Sequence, residues 1–326
     1  MSIMNNRFLS NLGFDFYKPE DFSPKVVTLR DSREATIWIN NQSGHGILDE
    51  KFWVDEKFYQ EEYRKQFSAD KAGKHQNCKD HLEVYKKLNN YQFSFFKDLL
   101  SSSSKYLEIG CSFGGVLSKV YKHGVAECHA VEPNIEDSDF IKSQHNGVKI
   151  FNQCLGSCDL PENHYDIIVS FDVLEHVFNV GSEFLEKCFR ALKPGGVIVI
   201  GVPNHNDILL TTYKSERYKK FYYHKAHVNY FTSQSLIDLT SSYGFNGEVS
   251  SFLDYSFFNH VYWSQNNSPM NSALGAFASQ PCYENTNLGK DINEFYLSVE
   301  QAYQNLINSR KAGGALIYIG RKKYEV

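Results

Sequence analysis

Several things are scarce in these 326 residues. No run of five like charges occurs, and 34 Lys and Arg stand against 38 Asp and Glu. The chain therefore lacks the basic surface by which a nucleic-acid backbone is held as the main partner. No stretch approaches the roughly 20 apolar residues that a membrane span requires. The opening Met1-Ser2-Ile3-Met4-Asn5-Asn6-Arg7 has none of the apolar core of a secretory signal, so the chain reads as cytoplasmic. The seven cysteines never form a Cys-x-x-Cys pair. Cys154 and Cys158 are spaced for a metal, but no second pair or nearby His completes four ligands, and no metal is expected. No internal repeat is visible.

What is present suits a globular chain with a sizeable core, 42% hydrophobic and 22% charged. Residues 1 to about 50 carry weak periodicity, with Lys25 to Ile39 alternating enough for a short strand or hairpin. Phe58, Tyr59, Tyr63 and Phe67, then Leu82, Tyr85, Leu88, Tyr91, Phe95 and Leu99, recur at helical spacing and predict two helices ahead of the main sheet. From residue 101 onward, apolar strand-like runs alternate with helical ones: Tyr106–Ile109, Glu127–Val131, Lys149–Gln153, Tyr165–Phe171, Val197–Val202, Glu248–Tyr255 and Ala315–Arg321. Such alternation predicts a doubly wound α/β domain with a mostly parallel sheet covered on both faces. Residues 1–100 are read as an N-terminal extension and helical lid, 101–326 as the main domain. Within the latter, about 259–313 form an insertion carrying a helix over Asp291–Ser309.

The first strand of the alternation runs into Glu108-Ile109-Gly110-Cys111-Ser112-Phe113-Gly114, and a helix follows. In a doubly wound sheet this turn lies at the switch point where nucleotide-like ligands bind, and glycine lets the backbone approach them closely. The pattern is not the GxGxxG of a dinucleotide site, and Glu108 just before the loop suits a cationic ligand rather than a pyrophosphate. Glu132 ends the next strand, 22 residues after Gly110, where a carboxylate reaches the hydroxyls of a ribose bound at the first loop.

With these residues the sequence resembles the class I S-adenosylmethionine-dependent methyltransferases. The likeness rests on four segments in order: Leu107 to Gly114, Ala130-Val131-Glu132-Pro133-Asn134, Tyr165 to Val177, and Leu192-Lys193-Pro194-Gly195-Gly196. It implies a Rossmann-like, seven-stranded sheet with the last strand antiparallel and S-adenosylmethionine as cofactor. The implied cofactor contacts are Glu108, Gly110, Cys111, Ser112, Gly114, Glu132, Pro133, Ser157, Phe171 and Asp172. Leu192 to Gly196 would be the turn before strand five. Ser112 stands at the family's usual middle glycine, and Gly156 where an acidic residue often holds the adenine amine, which leaves the backbone around Ser157 for that task.

Methyl transfer to an unactivated alcohol needs a base. His227 heads the candidates, because His224-Lys225-Ala226-His227-Val228-Asn229-Tyr230 looks like the segment that carries the base in bacterial sugar methyltransferases. Against it, the family's preceding Glu is Ala226 here, and a loop hydrogen bond would also explain His227. His176, for which packing at a helix start is the favoured reading, and His224 follow, and a turn explains His205 equally well. Tyr59 and Tyr63 are read as an aromatic lid on the substrate side or as a helix–sheet contact. The density of Tyr and Trp in 213–231 and 255–263 suits stacking on a sugar ring or an ordinary core.

The leading expectation is O-methylation of a sugar or nucleotide-sugar hydroxyl in polysaccharide or secondary-metabolite assembly. Its alternatives are O-methylation of a quinone or small phenol, and an inactive cofactor-binding partner protein. The expected partner is a small-molecule or sugar acceptor, with no nucleic acid. No Asn/Asp-Pro-Pro-Tyr/Phe motif follows strand four, where Phe171-Asp172-Val173-Leu174 stands instead.

Overall fold

The first fifty residues, weakly patterned as they are, fold because both ends of the segment find apolar cover. The computed structural model describes residues 4–55, 57–63, 78–253, 255–268 and 286–323. Helix α1 (Asn6–Leu12) starts on the Asn5 side chain, which accepts from the Phe8 N–H, and stops at Gly13 in the left-handed region. It buries Phe8, Leu9 and Leu12. Strands β1 (Phe22–Thr28), β2 (Glu34–Asn40) and β3 (Gly46–Leu48) form an antiparallel meander, so the hairpin expected over 25–39 is present and one strand longer.

A π-helical turn over 58–62, α2 (Cys78–Val84) and α3 (Lys86–Ser94) precede the main sheet. Then come β4 (Lys105–Ile109), α4 (Gly115–Lys122), β5 (Glu127–Val131), α5 (Ile135–Gln144), β6 (Lys149–Phe151), β7 (Tyr165–Phe171), α6 (Glu186–Ala191) and β8 (Leu192–Pro203). After α7 (Ile208–Thr211) and α8 (Glu216–Tyr222), the two-residue β9 (Asn229–Tyr230) leaves the main sheet and pairs with β3. Helix α9 (Ser233–Ser242), β10 (Phe245–Phe252), α10 (Phe257–Asn266), α11 (Asn287–Ser309) and β11 (Ala315–Lys322) complete the described elements.

The seven strands lie in the order β10-β11-β8-β7-β4-β5-β6. Pairs from β8 to β6 are parallel, and β11 runs antiparallel between β8 and β10, as the doubly wound fold requires. Period-two alternation sends Leu107, Ile109, Ile168, Ile198 and Ile200 to one face, where α1, α6 and α9 cover them. Tyr106, Ile167, Val169, Val197 and Val199 go to the other face, under α3, α4 and α5. A third cluster joins the small sheet to α7, α8 and α10 through Ile37, Leu48, Leu209, Tyr218, Tyr222, Tyr230 and Trp263.

Two boundaries differ from expectation. Leu192 to Gly196 is part of β8 and not a turn ahead of it: Tyr165 pairs with Leu192 and Ile167 already with Val197, so the segment bulges within the strand, helped by Gly195 at φ +75°. Strand β10 starts three residues earlier than the pattern suggests. Gly247 sits inside the ladder, where an added Cβ would lie 2.2 Å from the Ile319 carbonyl oxygen.

Candidate active site

The carboxyl ends of β4, β5 and β7 open into one cavity of about 390 Å³, within the range of small-molecule sites. Its floor is the loop after β4. Gly110 (φ +73°) and Gly114 (φ +75°) are left-handed. A Cβ on Gly110 would stand 2.2 Å from Val173 Cγ2, and one on Gly114 would stand 3.0 Å from Ile141 Cγ1. Ser112 takes the left-handed conformation too, at φ +51°, which a non-glycine residue tolerates at modest cost.

Two carboxylates flank the loop. Glu132 is buried and fastens it from beside: one oxygen accepts from the Ser112 N–H at 2.8 Å and the other from the Asn134 N–H at 3.0 Å. Glu108, buried below, accepts from the Tyr106 hydroxyl at 2.8 Å. Burial raises its pKa to about 8; the Tyr106 bond counters this, and the neighbouring charge of Glu132 adds to it. The result is a carboxyl held ready for a cation. Of the expected cofactor contacts, Glu108, Gly110, Cys111, Ser112, Glu132, Pro133, Phe171 and Asp172 line the cavity; Gly114 stands at the N-cap of α4 beneath it. Ser157 does not, being turned outward on its short helical turn, whereas Cys154, Leu155 and Gly156 do. A carboxylate does stand beside this segment: Glu183, on a π-helical turn over 180–185, lines the cavity and packs over Gly156, where an added Cβ would meet its Cγ at 3.4 Å.

The roof is aromatic and comes from the N-terminal side. Tyr59, Tyr63, Leu82, Tyr85, Leu88, Asn89 and Gln92 all face the cavity. Residues 82, 85, 89 and 92 share one face of consecutive helical turns. The sequence shows Leu82, Tyr85 and Leu88 only as a helical stripe; Asn89 and Gln92, polar groups set into that stripe, were the available signal that it faces a polar ligand.

The histidines are arranged differently from expectation. Among the described residues His176 lines the cavity; His224 and His227 do not. His176 Nδ1 donates to the Ala226 carbonyl at 2.7 Å, which also accepts from the Tyr59 hydroxyl at 3.0 Å. The rings of Tyr59 and Tyr63 stand edge-on to it. His227 lies behind it, ring centroids 4.7 Å apart, and His224 lies 3.6 Å behind His227. Burial holds His176 near pKa 4 and the other two well below the usual imidazole range. The expected base role of His227 at the acceptor does not fit this arrangement, because the His176 ring stands between His227 and the cavity. His205 is also remote, held between the Gly44 carbonyl and the Tyr223 hydroxyl. The tyrosines and tryptophan of 213–263 are mostly interior, with Tyr218, Tyr222, Tyr223, Tyr230 and Trp263 packing the third cluster. None of the described residues of 207–230 or 259–313 lines the cavity, while residues 269–285 of the insertion lie outside the described ones.

Comparison with known proteins decides the family. The family described as "Methyltransferase domain" matches residues 81–249, more than half of the chain. The chain belongs to the S-adenosylmethionine-dependent methyltransferases. Among relatives of this methyltransferase, a probable S-adenosylmethionine-dependent methyltransferase of Mycolicibacterium smegmatis is 34% identical over 64 residues, 20% of this chain and 24% of that protein. A ubiquinone biosynthesis O-methyltransferase of Bradyrhizobium is 31% identical over 108 residues, 32% of this chain and 42% of that one. The chain thus spans less than half the length of these curated relatives. A chain from the complex containing the Haloferax volcanii Trm112 methyltransferase activator superposes with TM-score 0.50 at 10% identity, covering 76% of this methyltransferase and 94% of that chain, and shares the fold. No helix among the described residues is long and apolar enough to cross a membrane.

Proposed function

We propose that this methyltransferase transfers the methyl group of S-adenosylmethionine to a hydroxyl of a small aromatic acceptor, a quinol or phenol. The observation that carries the reading is the single cavity in which a cation-ready floor, Glu108 with the Gly110–Gly114 loop, meets a roof of Tyr59, Tyr63 and Tyr85. Flat aromatic walls suit an aromatic ring, and the Bradyrhizobium relative is named for an O-methylation in ubiquinone biosynthesis. A sugar hydroxyl is the less supported acceptor, because the base assigned to it, His227, does not reach the cavity.

When bound, the cofactor supplies an electrophilic methyl: the acceptor oxygen gains a C–O bond, the C–S pair returns to sulfur, and the hydroxyl proton leaves. In this reading Glu108 and the loop hold the aminoacid end, Glu132 takes the ribose hydroxyls, and Glu183 faces the adenine edge. Asp172 accepts the proton. Its backbone is left-handed at φ +56°, a conformation a non-glycine residue adopts only when its surroundings enforce it, and its side chain opens onto the cavity.

The test is a panel of catechols, phenols, hydroquinones and nucleotide-sugars with methyl-labelled cofactor, read by product mass spectrometry. Label is expected in the aromatic hydroxyls, and turnover should fall by about 10²-fold or more in Asp172→Asn, the size of a general-base effect. Label in nucleotide-sugars alone would overturn the acceptor assignment.

Cofactor affinity should also depend on pH. With Glu108 protonated below about pH 8 in the free chain, binding a cation beside it requires loss of that proton. Affinity should therefore rise with pH toward 8 and fall by up to about tenfold per unit below it. Calorimetry in buffers of different ionisation enthalpy reads the proton directly. A Glu108→Gln variant with the same pH profile as the wild type would remove Glu108 from this role.

A further inference from the structure

Behind the cavity wall lies a group of side chains that the methyl-transfer chemistry above does not use. Glu175 is 2% exposed, and among the described residues neither carboxylate oxygen has a hydrogen-bond partner. Its Oε1 lies 3.8 Å from His176 Nε2 and 3.9 Å from His227 Nε2. The tautomer of His176 is fixed by geometry: Nδ1 faces the Ala226 carbonyl, which only accepts, so Nδ1 carries the hydrogen and Nε2 of the neutral ring offers a lone pair. Facing that lone pair is the Glu175 carboxyl, whose pKa burial, and then the charge of Asp172, push up. His227 Nδ1 is likewise without a partner among the described residues.

A buried carboxylate beside neutral imidazoles is costly unless a proton or a cation accompanies it. The three ligand atoms fall within 4.8 Å of one another. Around a tetrahedral zinc ion, with bonds of about 2.0–2.1 Å, such atoms stand roughly 3.3 Å apart, so closing the shell would draw each imidazole toward the carboxylate by about half an ångström and the two imidazoles together by up to about 1.5 Å. Two further charged groups lie near the cluster: Asp172, whose charge acts on Glu175, and Arg30, whose guanidinium stacks 4.1 Å over the Phe221 ring and whose Nε donates to the Phe221 carbonyl.

We propose that Glu175, His176 and His227 bind a divalent first-row cation, zinc by the character of its ligands, at the edge of the acceptor cavity. Two imidazoles and one carboxylate leave a coordination position open, as catalytic zinc sites do, and disfavour magnesium, which prefers oxygen. His176 is the member shared by the cluster and the cavity, so an acceptor oxygen that reaches the ion would be polarised and would lose its proton more readily. Resting on the aromatic-acceptor reading, this narrows the class to rings with two adjacent hydroxyls, which can chelate. The ion itself does not depend on that reading.

A second cluster provides a control. Glu127, His129 and His164 are also close together, but Glu127 already has the Lys105 ammonium at 3.3 Å and the group is partly exposed. The metal-stripped chain would be titrated with Zn²⁺ by calorimetry and with Co²⁺ by visible d–d absorption. The wild type and His164→Asn are expected to take up one equivalent with a d–d band. Glu175→Gln and His227→Asn should bind at least about 100-fold more weakly, since loss of a supporting partner alone costs 10–100-fold. Without metal, Glu175→Gln should melt no lower than wild type, because neither carboxylate oxygen has a hydrogen-bond partner among the described residues for the substitution to break. The wild-type Co²⁺ spectrum keeps the test independent of whether either variant folds.

No saturable uptake by the wild type, or a band lost in His164→Asn and kept in Glu175→Gln, would overturn the site. Metal uptake without methylation of catechols would leave the site standing and fail the acceptor reading. Catechol methylation by a chain that binds no metal would do the reverse.

Discussion

Replacing Gly110 by Ala should weaken S-adenosylmethionine binding by about 10²–10³-fold while the chain stays folded. Two costs combine. The left-handed φ of +73° penalises an L residue by about 1–2 kcal/mol, and the new Cβ would lie 2.2 Å from Val173 Cγ2, an overlap relieved only by moving side chain or backbone, typically for 1–3 kcal/mol. Val173 adjoins Asp172 and shares the cavity wall with it, so the relief itself distorts the site. Calorimetric titration alongside a circular-dichroism melt separates the two effects. Near-normal affinity in a folded Gly110→Ala protein would mean that the loop is not the cofactor's seat.

The second large effect is expected from Glu132→Ala, a loss of roughly 10–10²-fold in cofactor affinity. Hydrogen bonds to a charged acceptor contribute about 1.5–3 kcal/mol, and here the carboxylate already orders the loop through Ser112 and Asn134 before any ribose arrives. Glu132→Gln is the informative companion. Its amide keeps one acceptor oxygen but turns a donor toward an N–H, so it should recover only part of the loss. If Ala and Gln variants bind as tightly as the wild type, the ribose is held elsewhere.

Much of this was legible before any coordinates. The parallel sheet announced itself because β4, β7 and β8 are buried on both faces, which writes continuous apolar runs into the sequence. The loop could be located because left-handed backbone at 110 and 114 admits glycine and little else. The small sheet was harder to see. Its fourth strand is only Asn229–Tyr230, too short for periodicity to register, and its apolar partners lie in α7, α8 and α10. The same distance hid the reason for the aromatic density: Tyr218, Tyr222 and Tyr230 close a core between segments 180 residues apart, whereas composition alone allowed a sugar platform equally well. Glu183 and the Glu175 cluster were illegible for a third reason. Which carboxylate meets Gly156, and whether His227 faces a cavity or a wall, depends on how loops cross.

The pairing of β9 with β3 also has a consequence in time. During synthesis β1 to β3 emerge early, but the strand that completes their sheet is made about 180 residues later, on the order of ten seconds or more at ordinary elongation rates. Until then the meander exposes an unpaired edge, and the turn that carries His224 and His227 has nothing to dock against. The nascent chain should therefore acquire its cofactor loop before its histidine cluster, and until Asn229 and Tyr230 emerge it is the sheet of β1 to β3 that a chaperone would have to shield.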